Sequence, residues 1–96
     1  SETTLTLAAN SSAVVSGTPS SLVLTLGTPA SGIDSEYRIV FTAGSGFAMT
    51  VNAPTGYTVL GTDDLTFSER KVYEISFAVL NDSYIGCICK EWEIPV

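Results

Sequence analysis

Asp63 and Asp64 are adjacent carboxylates in the run Gly61-Thr62-Asp63-Asp64. Paired carboxylates do general acid–base work when they share a shielded cleft. Neighbouring residues in a turn point apart into water, and no partner base accompanies this pair. The pair also offers oxygen ligands, as do Asn81 and Asp82. A calcium ion takes about six to eight oxygens, so two carboxylates in a turn make a weak site. Cys87 and Cys89 are the two thiols, spaced C-x-C. On a strand they lie on one face roughly 7 Å apart, at or beyond the reach of a disulfide. The sequence has no histidine. Zinc therefore lacks its usual ligands, and a serine or cysteine nucleophile lacks its usual base. The sequence contains neither G-x-S-x-G nor a phosphate loop. The expectation is a non-enzymatic chain with no cofactor and no metal, its thiols packing as small apolar groups.

Aromatic rings are the remaining chemistry. Sugars stack on exposed rings, with Asp, Asn and Thr bonding their hydroxyls. Tyr37, Phe41, Phe67, Tyr73 and Phe77 fall in strand-like runs and read as core. Phe47, Tyr57, Tyr84 and Trp92 fall near turns or in the last strand. These four are the candidate ligand-binding residues, Trp92 first and Tyr57 second.

The elements that must hold these residues are strands. In EYRIVFTA, residues 36–43, Tyr37, Ile39 and Phe41 alternate with Arg38, Val40 and Thr42. Tyr73, Ile75 and Phe77 repeat the order Tyr-x-Ile-x-Phe within residues 72–80. Alternation sends the large groups to one side of each ribbon, so the two runs form the centre of a β core. Leu22, Leu24 and Leu26 make a third period-2 segment, and Leu5 and Leu7 a fourth. Residues 13–16, 57–60 and 65–68 read as short extended pieces. Gly44-Ser45-Gly46 suggests a tight turn joining 36–43 and 46–52 as an antiparallel hairpin. Asn81-Asp82 suggests a second hairpin into the last strand, residues 83–94. That strand is apolar at both parities: Tyr84, Gly86, Ile88 and Trp92 on one, Ile85, Cys87 and Cys89 on the other. It is buried on both faces or sits in an interface. No segment shows a 3.6-residue period. The expected fold is all-β: a small antiparallel β-sandwich, jelly-roll or immunoglobulin-like, with roughly eight short strands.

The 96 residues make one domain. Residues 1–35 form N-terminal strands or a linker-like region, and residues 36–96 the core module. The connection 27–35 separates them. Net charge is −6 with four basic residues, of which only Arg70 and Lys71 adjoin. Phosphate binding needs clustered cations, so no nucleic-acid partner is expected. No apolar run spans a bilayer, and membrane insertion is not expected. Ser1 opens the sequence without an initiator Met or signal-peptide pattern, so a piece of a longer protein is expected.

Four runs carry a family resemblance: EYRIVFTAGS from Glu36, NAPTGYTVLG from Asn52, KVYEISFAVLND from Lys71, and IGCICKEWEI from Ile85. Together they resemble a small β module at the ends of phage structural proteins, particularly tail-fibre and minor structural proteins of gut-type phages. The shared pattern is a Tyr-x-hydrophobic-x-Phe strand with a Gly/Ser turn, then a Pro-x-Gly turn. A Lys-x-Tyr-Glu-Ile-Ser strand and a closing strand ending in Trp-Glu complete it. The module commonly has a Trp soon after the Pro turn, where this chain has Thr55-Gly56-Tyr57. The resemblance implies a virion-surface domain, at a tail-fibre or head-fibre tip, forming homo-oligomers (trimers) and binding a host glycan or surface protein. No site residue comes with it. An immunoglobulin-like or carbohydrate-binding module of a bacterial cell-surface protein is the alternative, with an extracellular location.

Overall fold

A computed structural model of the chain describes residues 2–29 and 35–95. Ser1, Val96 and the middle of the 27–35 connection lie outside the described residues, as does the side chain of Asp64. Eight strands follow in order: β1 (Glu2–Leu7), β2 (Ser11–Val14), β3 (Ser21–Leu26), β4 (Glu36–Thr42), β5 (Ala48–Asn52), β6 (Thr58–Leu60), β7 (Val72–Val79) and β8 (Tyr84–Trp92). One 3-10 turn, Thr62–Asp64, separates β6 from β7. Residues 65–68, expected as extended, contain no strand.

The strands form two sheets, ordered β1-β3-β5 and β2-β4-β7-β8-β6. The two Tyr-x-Ile-x-Phe ribbons are direct neighbours in the larger one. β4 and β7 pair antiparallel, with Tyr37 opposite Phe77, Ile39 opposite Ile75 and Phe41 opposite Tyr73. All six are at most 1% exposed. Leu7, Leu22, Leu24 and Leu26 from the smaller sheet pack into the same core. Each fully buried Leu, Ile or Phe contributes about 1.5–3 kcal/mol relative to exposure.

The expected antiparallel arrangement holds for only part of the structure. Among the described residues β4–β7 and β7–β8 are antiparallel, while β1–β3, β3–β5, β2–β4 and β6–β8 are parallel. The expected hairpin of 36–43 with 46–52 does not form, because β4 and β5 lie in different sheets. From β1 to β5 the chain changes sheet at every step. Parallel neighbours need a crossover, commonly a helix. Among these five strands each crossover is a strand of the opposite sheet, so they wind as a two-layer coil; between β6 and β8 the chain passes through β7 of the same sheet.

Local contacts explain the winding. Asn10 takes φ 63, a left-handed conformation that Asn tolerates. Its backbone N–H donates to Glu36 O at 2.7 Å, and its Oδ1 accepts from Glu36 N at 3.0 Å. This clamp sets β2 beside β4. Beyond β4, Gly44 N–H donates to Pro19 O at 2.8 Å. A Cβ at Gly44 would lie 2.5 Å from Thr18 O and 2.7 Å from Pro19 O. The glycine is needed for close approach, and that approach carries the chain across to the smaller sheet. The Asn81 hairpin forms as expected: Asn81 Oδ1 accepts from the backbone of Ser83 at 2.8 Å and of Tyr84 at 2.9 Å. The body is elongated, 45 × 21 × 21 Å.

Candidate functional surface

The inner side of the larger sheet is filled, so its outer side is what it offers. Even-numbered residues of β2, β4, β7, β8 and β6 point outward, because their odd neighbours enter the core. Register sets them in rows. Ser12, Arg38, Ser76 and Ile88 lie across one row, and Val14, Val40, Glu74 and Lys90 across the next. Most large hydrophobic side chains left exposed belong to these strands. Val14 is 75% exposed and Ile88 74%, with Leu60, Tyr84 and Trp92 also open, and Leu80 open just beyond β7. Such residues commonly occur singly on a protein surface; here five of them share one sheet face.

Small residues form a depression in that face. Ser76 and Ala78 make the floor of a trough of about 660 Å³, with Ser12, Arg38, Gly86 and Ile88 around it. Gly86 packs under Leu80, whose Cδ1 would be 3.2 Å from an added Cβ. Three of the four charges on this face, those of Arg38, Glu74 and Lys90, are paired or stacked. Arg38 Nε donates to Glu74 Oε2 at 2.7 Å. Lys90 Nζ lies 5.1 Å from the centre of the Trp92 ring, a cation–π contact.

The four expected ligand-binding aromatics do not meet. Trp92 and Tyr84 share the outer face but occupy opposite ends of β8, eight residues or roughly 26 Å apart. Phe47 is half-buried and stacks on Phe41 with ring centres 4.8 Å apart. Tyr57 is half-buried against the core, its N–H bonded to Pro54 O at 3.0 Å. Phe47 and Tyr57 therefore act with the interior. Sequence reasoning missed Val14, Leu60, Leu80 and Ile88 as surface residues. For Ile88 the signal was present in the two-sided apolar alternation of β8; Val14 carried none.

A second cleft, about 560 Å³, lies between β5 and residues 62–67. Phe47, Met49, Leu65 and Phe67 line it, with Asp63 as its described carboxylate. Among the described residues no group of three His, Cys, Asp or Glu side chains is placed to hold a metal. Beside this cleft Phe41, Phe47, Phe67 and Tyr73 stack edge and face. Tyr73 Oη accepts from Ser68 N–H at 2.6 Å and donates to Glu91 at 2.9 Å. Lys71 Nζ reaches Glu91 at 3.1 Å. The Tyr73 and Lys71 bonds hold the Glu91 carboxyl below its ordinary range, and Glu91 holds Lys71 above its own. This cluster is a clasp closing the end of the core.

Cys87 and Cys89 are unbridged and half-buried on the inner side of β8. Burial, with Cys89 nearby, pushes the Cys87 thiol up to about 11. A reactive cysteine has the opposite shift. Among the described residues no helix is long and apolar enough to cross a membrane. Comparison with family models, with curated proteins and with solved structures returns no match to this chain.

Proposed function

We propose that this chain is a non-enzymatic virion-surface β module, at a tail-fibre or head-fibre tip, serving fibre assembly or attachment to a host surface. One observation carries the reading: the larger sheet turns a face bearing Val14, Ile88 and Trp92 outward. A module that works alone gains nothing from such a face; a module that assembles, as a trimer or another homo-oligomer, covers it. The rod-like body and the coil of β1 to β5 suit a fibre. The resemblance of residues 36–92 to phage fibre modules points the same way. The parallel pairs set this winding apart from the antiparallel immunoglobulin and jelly-roll patterns, so the module is read as a two-layer β body of neither type.

Light scattering at rising concentration tests this. A mass that is a multiple of the 10.1 kDa monomer is expected. A monomer at the highest soluble concentration contradicts fibre assembly. Trp92, half exposed beside Lys90, favours a second reading as a carbohydrate-binding module of a bacterial surface protein. Binding to a glycan array by a monomer, abolished in Trp92→Ala, is the result that reading predicts.

A further inference from the structure

We propose that the outer face of the larger sheet is covered by the same face of a second copy of this chain, Ile88 of each copy entering the trough over Ser76 and Ala78 of the other. The inference rests on the oligomeric reading above and names its surface.

Shape supports it first. A self-complementary patch must carry both a projection and a recess. Ile88 projects from β8 directly opposite Ser76 of β7, and Gly86 lies opposite Ala78. Projection and recess are therefore neighbours on one face. Such a contact is isologous: the two copies meet about a twofold axis and each Ile88 enters the other's trough.

Charge supports it independently. The sequence holds ten acidic and four basic residues. The outer rows of the larger sheet carry Glu36, Glu74, Arg38 and Lys90, two of each sign. Among the described residues six further acids and two bases lie outside those rows. Two chains of net charge −6 repel each other. They meet at least cost on a balanced face, and this face has its Arg38 and Glu74 already paired within each copy. A strongly basic partner would instead be drawn to the acidic remainder.

Size sets the strength. Five strands averaging about six residues give roughly 490 Å² in plan per copy. Both copies together then bury about 1,000 Å², the size of a weak, transient interface. Association should accordingly depend on concentration across the micromolar range.

The test is sedimentation equilibrium on wild type, Ile88→Asp, Ile88→Lys and Thr4→Asp, with circular dichroism as a check on folding. Ile88 is 74% exposed, so neither substitution removes core packing. The wild type and Thr4→Asp, on the other sheet, should give a multiple of 10.1 kDa. Both Ile88 variants should stay at monomer mass at the same concentration, whatever the sign of the new charge. A monomeric wild type overturns this inference and the oligomeric reading together. An oligomer whose mass survives both Ile88 variants overturns this face and leaves the oligomeric reading standing.

Discussion

Arg38 and Glu74 pair diagonally rather than directly. Arg38 lies opposite Ser76 and Glu74 opposite Val40, yet Arg38 Nε reaches Glu74 Oε2 at 2.7 Å. Diagonal neighbours on an antiparallel pair are within reach of long side chains. The bond, above all other causes, holds the Glu74 carboxyl below its ordinary value. A lowered carboxyl pKa contributes stability above the unfolded value and loses it as pH falls through the folded one. Both partners are substantially exposed, so solvent screens the pair. An Arg38→Ala, Glu74→Ala double-mutant cycle in urea should give only a small coupling at neutral pH, weakened further by added salt. The coupling should vanish once acid has protonated Glu74.

Tyr73 ties three elements together through one hydroxyl. Tyr73→Phe keeps the ring against Phe41 and Phe67 but deletes the bonds to Ser68 N–H and Glu91. It should cost about 1–3 kcal/mol, since a partly buried N–H loses its partner. Glu91 is lowered by Tyr73 first and Lys71 second. The gap between wild type and variant should therefore be full above the ordinary carboxylate pKa. It should narrow as pH falls through the lowered Glu91 value. Urea titrations at neutral and acid pH check both points.

Gly44 meets backbone on its open side, so the obstacle cannot rotate away. Gly44→Ala should destabilise by about 1–3 kcal/mol, the usual cost of overpacking. A thermal melt reads it. A variant as stable as wild type would mean that the crossing from β4 to β5 is not held by Pro19.

Cys87 should be slow to alkylate in the folded protein. A thiol raised from 9.0 to about 11 has a thiolate fraction about a hundredfold smaller at pH 8. Cys89, also raised by burial, shifts the same way. Iodoacetamide labelling followed by mass spectrometry should show slow labelling in buffer and rapid labelling in urea. Equal rates in the two would mean that β8 does not bury its thiols.

The faces of the strands were legible in the sequence, and their neighbours were not. Alternation states which side of a ribbon each residue takes, so Tyr37, Ile39, Phe41, Tyr73, Ile75 and Phe77 were assigned inward and are buried. It does not state which strand lies alongside. Gly44-Ser45-Gly46 therefore reads as a hairpin, although the approach of Gly44 to Pro19, 25 residues back, sends the chain across the layers. The two-sided apolar pattern of β8 was visible and left two outcomes open. The structure puts Ile85 inside and leaves Ile88 outside. Chemistry-bearing residues were easy to name and hard to group, because Trp92, Tyr84, Tyr57 and Phe47 are spread over both ends and the core.

Trp92 is the single tryptophan of the sequence and stands half exposed at the end of the proposed contact face. Mass reports how many copies associate; quenching of this ring reports where they touch. Acrylamide quenching of Trp92 fluorescence, followed from dilute to concentrated wild type and Ile88→Asp, is the most direct test. Contact over this face requires that quenching weaken with concentration in the wild type alone, with the emission moving to shorter wavelength. Quenching that stays constant in wild type while its mass rises would contradict it.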